Sequence, residues 1–109
     1  LKVISTVVSR MDGHHAIIDA GSKTLTADVC GKRGGYGYVE GRPDIWITKL
    51  NEEHGFIESD GELDMEIGDK IAVIPNHACV VPNLADEIYG MRDGRVDHMI
   101  KIDARGKNR

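Results

Sequence analysis

Cysteine is nearly absent from this chain: 109 residues hold only Cys30 and Cys79. That excludes a disulfide-stapled scaffold and makes a reducing, cytoplasmic setting the expectation. Aromatic residues are scarce too, at one tryptophan, three tyrosines and one phenylalanine. With no basic stripe beside them, they argue against nucleic acid as the main partner. Neither sign of charge dominates: 14 Lys and Arg stand against 18 Asp and Glu, a formal net of −4. No apolar run approaches the roughly 20 residues of a membrane-spanning helix. No signal-peptide pattern opens the chain, and no membrane partner is expected. The length bounds the chain to about one small domain, residues 1–109, with a thin core margin. It begins at Leu1-Lys2-Val3 and runs straight into an apolar pattern, so a piece of a longer polypeptide is expected.

What is present is β-pattern almost throughout. Period-2 runs of strand length cover Lys2 to Ser9, Ala16 to Ala20, Asp44 to Leu50, His54 to Glu58, Lys70 to Ile74 and Val96 to Ile102. In the third, Ile45 and Ile47 fall on one face and Trp46 and Thr48 on the other. Turn markers separate the runs, among them Asp12-Gly13, Gly34-Gly35, Gly41-Arg42-Pro43 and Asp93-Gly94. Asp93-Gly94 between Met91-Arg92 and Arg95-Val96 predicts a hairpin. The one helical hint, Asn83 to Ile88, is short enough to be a single turn ahead of a strand at Ile88. The tail from Arg105 to Arg109 is basic and expected to fray or link onward. Many short strands with these turns predict an all-β domain, a small antiparallel barrel or barrel-like sandwich.

The chemistry concentrates in Pro75-Asn76-His77-Ala78-Cys79, at the end of the apolar run Ile71 to Ile74. If the strand continues, residues i and i+2 share a face and His77 projects beside Cys79. Imidazole and thiolate are the ligands that zinc prefers. Two are too few for a closed structural site, so such a metal would keep open positions. Cys30 and His54 complete a set of four only if the fold brings them close. The competing reading is packing, since a free cysteine often serves as a small hydrophobe.

Several strings in order resemble one family: Val8-Ser9-Arg10, Asp19-Ala20-Gly21-Ser22-Lys23, Gly35-Tyr36-Gly37, Asn51-Glu52-Glu53-His54-Gly55, Gly68-Asp69-Lys70-Ile71, the Pro75–Cys79 string, Asn83-Leu84 and Ala104-Arg105-Gly106. Together they resemble the C-terminal β domain of the D-serine dehydratase and D-threonine aldolase group, pyridoxal-phosphate enzymes related to alanine racemase. The resemblance covers nearly the whole chain.

The resemblance implies a partner within the same polypeptide, an N-terminal (β/α)8 barrel that carries the Schiff-base lysine and binds pyridoxal phosphate. No cofactor-binding residue is expected in this chain, and the isolated domain is expected to be inactive. The resemblance places the metal ligands on His77 and Cys79. A cysteine rather than an aspartate there tilts the metal toward zinc and the enzyme toward the dehydratase branch. The implied function is zinc polarising the β-hydroxyl of a D-hydroxy amino acid, with a retro-aldol lyase of D-threonine aldolase type as the alternative. A homodimer is implied as well.

Lesser candidates for catalysis or substrate positioning are His54 and Glu53, Tyr36, Asp19 and Lys23. Each has a structural reading of comparable weight: a solvated turn for Glu53 and His54, turn chemistry for Asp19 and Lys23, a subunit contact for Tyr36. Cys30 is expected to be structural or exposed, and His14, His15 and His98 to be surface or strand residues. Arg105 is expected in a surface ion pair. A third alternative is a non-catalytic dimerisation or gating domain with His77 and Cys79 metal-free.

Overall fold

The computed structural model describes residues 1–31 and 34–107. Six strands close into an antiparallel barrel: β1 (Val3–Arg10), β2 (His15–Ile18), β3 (Tyr38–Val39), β4 (Ile45–Leu50), β5 (Gly55–Ser59) and β6 (Lys70–Ile74). Around the barrel the order is β1-β2-β5-β4-β3-β6, and β6 pairs back onto β1. Of the two architectures expected, the closed barrel is the one formed.

Alternation builds the core. Val7 of β1, Ala16 and Ile18 of β2, Ile45 and Ile47 of β4, Ile57 of β5, and Ile71 and Val73 of β6 all turn inward. Leu25, Leu63 and Met65 add to this core from outside the strands. Each fully buried aliphatic side chain contributes about 1.5–3 kcal/mol relative to exposure. Among the described residues, no buried side-chain nitrogen or oxygen lacks a partner. A bulge between Ile47 and Lys49 re-aims β4 after its buried pair.

Two elements were not expected from periodicity. A four-residue helix, α1 (Ser22–Leu25), follows β2. The two-residue β3 closes the barrel inside what reads as a glycine-rich loop. The helical hint at Asn83 resolves as a 3-10 turn, Val81–Leu84, ahead of β7 (Glu87–Arg92).

β7 pairs with β8 (Arg95–Lys101) as a separate hairpin. Asp93 and Gly94 turn it with φ of 50° and 74°, the two positive values that an Asp-Gly hairpin turn requires. Every residue of β8 is exposed. The foot of the hairpin is tied down: Arg105 Nε donates to Leu84 O at 3.1 Å and pairs with Asp86 at 3.0 Å. The amide of Gly106 donates to Asn83 O at 2.8 Å. The expected fraying therefore does not begin at Arg105 or Gly106. The last two residues of that tail, Asn108 and Arg109, lie outside the described residues. No described helix is long and apolar enough to cross a membrane.

Candidate metal centre

The His77–Cys79 segment is not the strand that the i, i+2 argument requires. β6 stops at Ile74, and residues 75–78 are irregular. Pro75 offers no N–H to continue a ladder. Asn76 then turns its side chain onto another loop, its Nδ2 donating to Asp28 O at 2.8 Å and to Gly35 O at 2.7 Å. Strand alternation therefore does not orient His77 and Cys79. The segment is oriented instead by the α1–β3 connection, to which Asn76 fastens it.

That connection supplies a residue without any sequence signal. His77 Nδ1 lies 2.8 Å from Asp28 Oδ2. An ionised carboxylate only accepts hydrogen bonds, so a neutral imidazole in this pair donates from Nδ1 and leaves the Nε2 lone pair free. The same Oδ2 accepts from the hydroxyl of Thr26 at 3.2 Å. The His77 and Asp28 side chains are 49% and 56% exposed, so the imidazole is open to solvent and ligand. Cys79 is also a free, exposed thiol, and so is Cys30.

The donor set fits an open zinc site in kind: one imidazole with an available nitrogen and one thiol, both accessible. Among the described residues no group of three or more His, Cys, Asp or Glu comes together in a metal-holding arrangement. Cys30 and His54 thus do not complete a closed set of four.

The other candidates gather on a second joint. The amides of Ser22 and Lys23 donate to Asn51 O at 2.8 Å and Glu52 O at 3.2 Å. Asn51 Oδ1 in turn accepts from the amides of Glu53 at 3.0 Å and His54 at 2.6 Å. The Asp19–Lys23 and Glu52–His54 strings are thus one structure. Lys23 and Glu53 form an exposed ion pair, and the Glu53 carboxylate holds the Lys23 amine above its ordinary pKa. A nucleophilic lysine needs the opposite shift. His54 is half-buried.

Asp19 Oδ1 accepts from Ser5 Oγ and from the Thr6 amide, each at 2.7 Å. Desolvation pushes its pKa up, but these hydrogen bonds outweigh it and hold the carboxyl below its ordinary value. Tyr36 packs half-buried against the core. α1 lies beside the 3-10 turn that follows Cys79, so this joint and the His77 loop flank the same short helix. The remaining histidines are surface groups: His14 reaches Gly61 O, while His15 and His98 pair with Asp12 and Asp97.

Residues 1–91 match the family model described as "Putative serine dehydratase domain". The chain is 34% identical over 108 residues to 3-hydroxy-D-aspartate aldolase of Paracoccus denitrificans, covering 98% of this chain and 26% of that enzyme. It is also 34% identical over 113 residues to an uncharacterized protein of Mycobacterium tuberculosis, covering 99% of this chain and 85% of that protein. Among solved structures, D-threonine aldolase from Filomicrobium marinum superimposes with a TM-score of 0.85 at 29% identity, over 97% of this chain and 28% of that one. A cysteine-to-alanine variant of D-threo-3-hydroxyaspartate dehydratase, in the metal-free form, matches with a TM-score of 0.73 at 28% identity, over 93% of this chain and 31% of that one. A histidine-to-alanine variant of the same dehydratase, changed two positions earlier, matches with a TM-score of 0.76.

The chain spans only a quarter to a third of these lyases. The match over 91 residues and the shared barrel place it in the serine dehydratase domain family, as the C-terminal β domain of the D-serine dehydratase and D-threonine aldolase group.

Proposed function

We propose that this domain is the metal-binding domain of a pyridoxal-phosphate-dependent lyase for D-hydroxy amino acids, of the dehydratase type, with zinc held by His77 and Cys79. One correspondence carries the reading. That D-threo-3-hydroxyaspartate dehydratase has been altered at a histidine and at a cysteine two positions on, the latter in a metal-free form. His77-Ala78-Cys79 repeats those residue types in that order and spacing.

His77 offers Nε2 and Cys79 its thiolate. The soft sulfur favours zinc over a harder divalent ion. When bound, zinc supplies Lewis acidity toward the substrate β-hydroxyl. Pyridoxal phosphate, held by the (β/α)8 barrel of the same polypeptide, supplies electron withdrawal at the α-carbon.

The residues of this chain have simpler tasks. The joint of Lys23, Glu53 and His54 presents charge and an imidazole beside the metal loop, and we assign it to substrate positioning. Asp19 acts there by tying the end of β2 to Ser5 and Thr6 of β1. Tyr36 forms part of the wall. The exposed apolar surface of Ile4, Tyr89 and Met91 is the face we assign to the barrel or to a second subunit of a homodimer.

Two observations favour other readings. The Paracoccus relative and the Filomicrobium neighbour are aldolases, which supports retro-aldol cleavage at the same metal position. The mycobacterial relative is nearly this domain alone, which supports a gating or dimerisation module. Product analysis of the complete enzyme with D-serine, D-threonine and 3-hydroxyaspartate separates them. Keto acid and ammonia, abolished by a zinc chelator and restored by zinc, are expected. Glycine and an aldehyde identify the aldolase. Turnover indifferent to chelation overturns the metal role.

A further inference from the structure

Exposed histidine–carboxylate pairs are ordinary on protein surfaces and contribute little. Two of that kind occur among the described residues: His15–Asp12, three residues apart, and His98–Asp97, adjacent. His77–Asp28 differs. Its partners are 49 residues apart, so the fold must bring them together, and Asp28 is braced twice. Asn76, the neighbour of His77, donates to the Asp28 carbonyl oxygen at 2.8 Å and so locks the two backbones in register. The Thr26 hydroxyl donates to the carboxylate oxygen that faces the imidazole.

Thr26 itself stands at φ 68° and ψ 173°, a region that only glycine visits freely and a β-branched residue avoids. Its amide is held by Ser22 O at 3.0 Å. A strained threonine whose hydroxyl orients a loop carboxylate is a second, independent sign that the carboxylate's position matters.

We infer that Asp28 is the positioning residue of the metal pair, with Thr26 holding it in place. Its carboxylate keeps the His77 proton on Nδ1 and presents Nε2 to the metal. Metal-bound histidines use such carboxylate partners for this purpose, and losing one weakens metal binding by about 10- to 100-fold. This inference rests on the zinc reading above.

Two measurements on the protein test it, with wild type, Asp28→Ala and Asp28→Asn compared. The first is the His77 ring tautomer in zinc-free protein, by nitrogen-detected NMR above the imidazole titration range. The second is zinc affinity, by competition with a chromophoric chelator. Wild type is expected to hold the Nδ1–H tautomer, and Asp28→Ala to move toward the Nε2–H form that free imidazole prefers. Zinc affinity falls about 10- to 100-fold in Asp28→Ala, and less in Asp28→Asn, whose amide oxygen can still accept. Backbone NMR spectra establish that each variant is folded. An unchanged tautomer and unchanged zinc affinity in folded Asp28→Ala overturn the inference and leave the zinc reading standing. A wild type that binds no zinc overturns the zinc reading and this role with it, even if the tautomer shifts.

Discussion

A Cβ on Gly21 would sit 2.4 Å from the carbonyl oxygen of Asn51. Two loops distant in sequence meet there backbone to backbone, and the Ser22 amide donates to that same oxygen. Gly21 has φ of −103°, which alanine adopts without strain, so the glycine serves contact rather than conformation. Gly21→Ala is expected to cost about 1–3 kcal/mol by overpacking. Urea denaturation measures it, and wild-type stability in the variant would contradict the joint.

Thr26→Gly should separate stability from metal binding. Relief of the strained backbone gives about 1–3 kcal/mol, against about 0.4–1 kcal/mol for the added freedom of an unfolded glycine. The net sign is stabilising. The same change removes the hydroxyl that braces Asp28, so zinc affinity should drop while the melting temperature holds or rises. A variant that melts lower and binds zinc as tightly as wild type contradicts this assignment.

Asp19 predicts an acid dependence. Its folded pKa lies below the ordinary value, so the folded state favours the ionised carboxylate more than the unfolded chain does. That stabilisation is complete above the ordinary aspartate pKa, about 3.9. It is lost as pH falls through the lower folded value. Stability measured against pH should therefore decline over that window, and the decline should be shallower in Asp19→Asn. Parallel curves would show that the Ser5 and Thr6 hydrogen bonds do not favour the charge.

The β7–β8 hairpin pairs with no barrel strand, and β8 buries none of its residues. An isolated two-stranded hairpin is marginally stable in water. Its amides should exchange with solvent well before those of β2 and β5. Equal protection in the isolated protein would mean that the hairpin unfolds only with the barrel.

Much of the barrel was legible because burial on one face imposes period 2. Ile45 and Ile47 turn inward as their alternation requires, Lys70–Ile74 has the strand limits expected, and Asp93-Gly94 makes its turn. β3 left no trace because Tyr38–Val39 is too short for any period to register. α1, at four residues, is equally silent. The site was legible in its donors and not in its support. His77 and Cys79 carry their chemistry in residue type, but Pro75 and Asn76 end the strand that was to align them. Asp28 and Thr26 belong to no motif, and only folding brings the one across to His77.

Zinc content is the most direct test. Elemental analysis of the purified protein, of Cys79→Ser and of His77→Ala should find about one zinc per chain in the first and little in either variant. Absence of zinc from the active complete enzyme, or zinc retained in both variants, would contradict the account and leave His77 and Cys79 as ordinary loop residues.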